Sequence, residues 1–391
     1  MIIDVLDLGM QPIANAFLNK EDVDKESFYN LVATFNTETF HFSQKNIVNP
    51  SDMFTPTYAY FSSNSKPMIS HFKKLSDELK LTINPKSVLE IGSNDGCFIK
   101  NFPTDTSVCV EPSNQLTDIT RELGYTSYSD FFGMNLLPKL EKHGKFDLIY
   151  SANCICHIPD LDDVFSTVKN ILDERGCFIF EDPSLLKMIE QNSYDQIYDE
   201  HPHIFSVIFL EKLVDKHGLR IIKVDEIDTH GGSNRIWVTH YDNHDMIHPS
   251  VSECVGSELD FGLDKLQTFI DFGNRVNHSR VELVSILNNI KQKGKKVLSY
   301  GATSKSTTVF NYCGIDSTLI ECVSDTSDTK IGKLTPGSHI PIKNIKDVNL
   351  YDYDYIFLGA WNFKNYILEN EKKWYESGGR IITHVPKVMI L

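Results

Sequence analysis

The stretch YDQIYDEHPHIF, residues 194–205, sets Tyr198, Glu200 and His201 side by side, with Asp195, Asp199 and His203 close in sequence. A strand or a core helix would not spend so many ionisable groups in so few places, and the composition suits proton transfer. A free imidazole titrates near pH 6.5, so His201 is the best candidate for a base working at neutrality. Asp195 and Asp199 read as solvated or capping acids. His203, just ahead of an apolar run, reads as structural.

A second group of residues could hold a ligand. In VLEIGSNDGCF (88–98), Glu90, Gly92, Asn94, Asp95 and Gly96 follow a strand and precede a helix. Glycines in such a turn let the backbone approach a ligand closely. The dinucleotide pattern G-x-G-x-x-G is absent, and acids flank the turn, which favours a cation over a pyrophosphate. S-adenosylmethionine carries an ammonium and a sulfonium and meets that requirement. Glu111 ends the next strand, where a carboxylate can bond both ribose hydroxyls. Asp130 and Phe131 end the third, suited to an adenine amine and ring, and Asn153 ends the fourth. Their order favours a methyltransferase over a structural turn or a site for another nucleotide.

The elements that must position these residues alternate. Strands are expected at 87–92, 108–113, 125–132, 146–153 and 176–183, with helices between them, and this alternation predicts a doubly wound, mainly parallel α/β sheet. Residues 1 to about 75 look strand- and loop-like, closing on a helix over 67–81. A long helical region over 258–292 leads into a second, smaller α/β unit with strands near 297, 321, 353 and 379. The expected division is 1–75 as a small cap, 76–257 as the Rossmann-like methyltransferase domain, and 258–391 as a C-terminal α/β domain.

At 391 residues, two or three domains are expected. The net charge of -15 argues against nucleic acid or an anionic membrane as partner. The N-terminus lacks a signal-peptide layout, and no apolar run approaches the roughly 20 residues a membrane helix needs, so a cytoplasmic location is expected. None of the eight cysteines forms a C-x-x-C, and Cys154-Ile-Cys156 reads as packing at a strand end.

The ordered blocks LDLGMQPIANAFL (6–18), TYAYFSSNSKPMISH (57–71), EIGSNDG (90–96), HIPDL (157–161), YDEHPHIFS (198–206), THGGSNRIWV (229–238), GATSKS (301–306), PGSHIPI (336–342) and AWNF (360–363) resemble the nucleotide-sugar C-methyltransferases nearly end to end. Members of that family place a methyl branch on carbon 3 of a 4-keto-6-deoxy sugar. That chemistry needs a base, an oxyanion stabiliser and a methyl donor. The resemblance implies His201 as base, Glu200 orienting it or holding a sugar hydroxyl, Tyr198 and His157 as donors to the oxyanion, and Tyr58 or Tyr60 closing over the sugar. His230 and Gly231 are expected beside the substrate.

GATSKST (301–307) fails the P-loop pattern, because Ser304 stands where the second glycine belongs. Lys305, with Arg235, remains a candidate partner for a diphosphate. The family's N-terminal unit usually carries four zinc-binding cysteines, but this chain has none before Cys97, and His41 alone cannot build a site, so no metal is expected. The partner is expected to be a nucleotide-linked keto-sugar, and the protein a monomer or small homo-oligomer. Two other readings stand beside this one: an O- or N-methyltransferase on a related sugar, and a non-catalytic methyltransferase-like binding protein.

Overall fold

The computed structural model describes residues 1–53, 60–243 and 246–391. Strands β1 (Ile2–Pro12), β2 (Phe28–Asn36) and β3 (Phe42–Gln44) form an antiparallel meander. The helix Lys66–Thr82 begins on Ser65, whose hydroxyl accepts the Met68 amide, with proline in its first turn. It buries Met68, Phe72, Leu75 and Leu79 at helical spacing, close to the 67–81 read from the sequence.

The central sheet follows. Strands β4 (Val88–Ile91), β5 (Ser107–Val110), β6 (Thr126–Tyr128), β7 (Phe146–Ala152) and β8 (Leu172–Pro183) are parallel, and the fully buried VLEI of β4 has the continuous apolar character of a strand covered on both faces. The third strand is shorter than the expected 125–132, since the Asp130 carboxylate accepts the Phe131 amide and the chain turns away. The two-residue strand β9 (His203–Ile204) leaves this domain and pairs with β3, so the segment after the catalytic candidates completes the N-terminal sheet. Strands β10 (Leu219–Ile227) and β11 (Ser233–His240) then add an antiparallel edge, giving the order β10-β11-β8-β7-β4-β5-β6.

The helical region is two helices rather than one. Ser250–Phe261 and Leu266–Gln292 are separated by Gly262 at φ +91°, and the Thr268 hydroxyl donates to its carbonyl. The longer helix buries Phe269, Phe272, Val276, Leu283, Leu287 and Ile290 along one stripe. Phe35 stacks on Phe269 with ring centroids 4.0 Å apart, so this helix joins the N-terminal sheet and the C-terminal unit in one continuous core. The C-terminal sheet contains β12 (Val297–Tyr300), β13 (Cys322–Asp325), β14 (Ile342–Asn344), β15 (Tyr355–Leu358), β16 (Arg380–Thr383) and β17 (Met389–Ile390), in the order β14-β13-β12-β15-β16-β17. Among the described residues no helix is long and apolar enough to cross a membrane.

Glu258, fully buried, accepts the backbone amides of Val207 and Ile208 at the start of the helix Val207–Lys216. Burial pushes its carboxyl up to about 7. A folded pKa above the unfolded one means that the native state binds the extra proton, so this contribution is complete below about 4.5 and fades as pH rises through 7. Measured by urea unfolding, Glu258→Gln should therefore gain stability relative to the parent between pH 5 and pH 8. A difference independent of pH would refute this.

Candidate active site

A cavity of about 1210 Å³ opens where the three sheets meet. Single small-molecule sites run roughly 300–1,000 Å³, so there is room for two ligands side by side. One wall comes from the turn after β4. Gly92 has φ +69°, and a Cβ there would meet Cys154 Sγ at 2.6 Å, so only glycine lets the loop lie this close to the next strand end. Glu90 accepts the Ile99 amide, and Glu111 accepts those of Asn94 and Ser113. Burial raises both carboxyls, Glu111 to about 7.

Asn94 is a junction. Its side chain accepts the Ser62 amide and donates to the Tyr60 carbonyl, while Asp95 accepts the Ser63 amide and Gly96 turns the chain at φ +77°. Asn94 and Asp95 thus tie the turn to the segment carrying Tyr60, which lines the cavity. Tyr58 lies outside the described residues. Phe131 lines the cavity with Asn135, whereas Asp130 stands outside the lining and is engaged by Asn135 and Lys139. Asn153 lines it too, at φ +49°.

The acid–base cluster forms the opposite wall. His201 Nδ1 is 2.8 Å from the Gln196 carbonyl, which can only accept, so this nitrogen carries the hydrogen. Nε2 then accepts from the Tyr198 hydroxyl at 2.8 Å. Burial holds the His201 imidazole well below its usual pKa, with His157 adding to the effect, and burial takes His157 to about 3. The His157 and His201 ring centroids are 5.0 Å apart. The N-terminal segment supports this loop. Asn15 donates to Glu200 at 2.5 Å, the Ala14 amide donates to Asp199, and the Gln44 side chain donates to the carbonyls of Tyr198 and His201.

Asp195 and Asp199 are not solvated: both are fully buried. Asp195 accepts Trp361 Nε1 at 2.6 Å, lies 3.2 Å from His384 Nε2, and sits near the Lys305 ammonium. Burial lowers Lys305 to about 8, and Asp195 partly restores it. Lys305 donates to the His230 carbonyl, while Gly231 packs on Trp361, where a Cβ would lie 2.3 Å from the ring. Arg235 lines the cavity, but its guanidinium is ion-paired at 2.7 Å to buried Glu181, which also bonds His71. Lys330 also lines the cavity, its ammonium donating to the Ala302 carbonyl.

Sequence reasoning passed over Asn15, His71 and Lys330, and misread Asp195 as solvated. Asn15 and His71 stood inside the family blocks as a signal, but Lys330 stood in none of them.

With this geometry in place, comparison with known proteins is decisive. A C-methyltransferase C-terminal domain matches residues 228–386, a methyltransferase domain 64–224, and a zinc binding domain 2–54. The C-methyltransferase NovU of Streptomyces niveus is 30% identical over 397 residues, spanning 100% of this chain and 94% of that protein. Among solved structures, an S-adenosylmethionine-dependent methyltransferase from Clostridium acetobutylicum matches 43% of this chain and 92% of its own at 18% identity and TM-score 0.34. Magnesium protoporphyrin IX methyltransferase from Synechocystis matches 44% and 79% at 11% identity and TM-score 0.33. The chain belongs to the C-methyltransferase family, and it is an enzyme that uses S-adenosyl-L-methionine.

The cavity suits that cofactor. Ser93 Oγ and Asn153 Oδ1 are buried acceptors with no hydrogen-bond partner among the described residues, and the raised carboxyls of Glu90 and Glu111 gain from a cation beside them. The zinc binding match covers a span with no cysteine. There, His41 stacks on Phe209 with ring centroids 4.0 Å apart and lies 3.0 Å from His203 Nδ1.

Proposed function

We propose that the enzyme methylates the carbon next to the ketone, carbon 3, of a nucleotide-linked 4-keto-6-deoxy sugar, with His201 as the base that forms the enolate. The observation that carries this reading is the fixed tautomer of His201. With Nδ1–H engaged by Gln196, the Nε2 lone pair is the basic site, and it meets the Tyr198 hydroxyl at the cavity wall. Tyr198 and His157 donate to the developing oxyanion. Glu200, held by Asn15, takes a sugar hydroxyl, and Tyr60 covers the hexose. S-adenosyl-L-methionine supplies an electrophilic methyl group when bound, in the pocket of Glu90, Gly92, Asn94, Glu111, Phe131 and Asn153. Lys305 and Lys330 face the diphosphate, while Arg235 is withdrawn onto Glu181. In this division residues 1–75 cap the site, 76–257 hold the cofactor, and 258–391 hold the nucleotide.

The test is incubation of ¹³C-methyl-labelled cofactor with a panel of nucleotide-linked 4-keto-6-deoxy sugars, read by NMR. A methyl on the carbon next to the ketone is expected. A methyl on oxygen or nitrogen, or none on any sugar, would sink the reading. A second expectation concerns Glu111. The Glu111→Gln variant loses a charged acceptor worth about 1.5–3 kcal/mol, so affinity for S-adenosyl-L-methionine should fall about 10–100-fold by calorimetry. Unchanged affinity would remove Glu111 from the cofactor site.

A further inference from the structure

Cys156 Sγ and one ring nitrogen each of His157 and His201 all lie within 4.8 Å of one another. His157 and His201 line the cavity, and Cys156 is buried directly behind them. Two imidazoles and a thiol are the donor set of a borderline-soft divalent ion such as zinc, not of magnesium or calcium. Donor atoms around tetrahedral zinc lie about 3.3–3.8 Å apart, so ligation would draw these three together by up to about 1.5 Å, within reach of side-chain rotations.

Two further features point to a ligand. The Nδ1–H of His201 is anchored on the Gln196 carbonyl, the kind of outer contact that orients metal-binding histidines, and it presents Nε2 as the donor atom. Beside the thiol stands the buried Asp182 carboxyl, only 3% exposed and facing the Cys156 S–H. An acceptor there can receive the proton that a thiol must surrender when it binds a metal.

We propose that Cys156, His157 and His201 form a zinc site in the wall of the active site, with a fourth position open to the cavity. On binding, the S–H bond breaks as the S–Zn bond forms, the proton passes to Asp182 and on to solvent, and nothing is oxidised or reduced. The ion takes the Nε2 lone pair from the Tyr198 hydroxyl, and zinc thereby inhibits methyl transfer reversibly. The inhibition rests on the proposed role of His201; the site itself does not.

The test titrates chelator-treated full-length protein with Zn²⁺ alone by calorimetry, and with Co²⁺ by absorption. One zinc per chain is expected, together with a thiolate-to-cobalt charge-transfer band. Cys156→Ser should weaken zinc binding by about tenfold or more and lose the band, while methyl transfer in chelator stays at the parent rate. Absence of the band from the parent protein, or undiminished zinc affinity in Cys156→Ser, would overturn the proposal. Cys156-dependent binding that leaves methyl transfer untouched would uphold the site and instead remove His201 from the role of base.

Discussion

His201→Asn is expected to lower kcat/KM for methyl transfer by about 10²–10⁴-fold and to stop exchange of the hydrogen next to the ketone in D₂O. Binding of S-adenosyl-L-methionine should persist, because the residues proposed to hold it lie on other strand ends. The buried imidazole is held well below its usual pKa, so it is neutral across the physiological range. A weak base of this kind works only if its protonated form is stabilised as it appears. The enolate provides that stabilisation, since its negative charge arises beside the new imidazolium in a site of low polarity. This attraction exists at the transition state and not in the ground state, so it accelerates the reaction rather than tightening binding. The depressed pKa also fixes the acid limb of the rate profile. Activity that requires neutral His201 should persist on acidification past pH 6.5 and fall only well below it. Exchange at the parent rate in His201→Asn would exclude the imidazole as base.

The largest stability effect is expected at Asp195. Its carboxylate is fully buried and kept ionised by His384 first, then by Lys305 and Trp361, against the cost of burial. Asp195→Leu leaves the Trp361 indole N–H without an acceptor and the buried Lys305 ammonium without its counter-charge. Breaking a buried pair by removing one partner costs about 3–5 kcal/mol, and urea unfolding should show a loss of that size. Asp195→Asn keeps an acceptor for the indole and should cost less. A loss below about 1 kcal/mol in the leucine variant, the range of exposed pairs, would show that Asp195 does not hold these groups together.

Much of the central fold could be read from local pattern. Parallel strands covered on both faces read as apolar runs, and VLEI and FDLIYSA stood out for that reason. The region 258–292 looked like one helix because apolar spacing continues across Gly262; the break needed the positive φ that only the fold reveals. In the site, His201, Tyr198 and Glu200 were visible because polar crowding is rare in sequence. The fates of Asp195 and Arg235 were not visible, because each is decided by a partner far along the chain: Trp361 and His384 for one, Glu181 for the other. Burial and pairing between distant segments leave no local periodicity. The link between Asn15 and Glu200 was hidden in the same way, spanning 185 residues.

The pairing of β3 with β9 has a consequence during synthesis. On the edge of β3 that faces away from β2, Phe42 and Ser43 pair with Ile204 and His203. At 5–20 residues per second, the ribosome needs roughly 10–30 s to deliver the missing strand, and through that interval the nascent meander carries an open hydrogen-bonding edge. Translation speed across the intervening codons, rather than the finished protein's stability, would then govern how much of the polypeptide escapes aggregation in the cell.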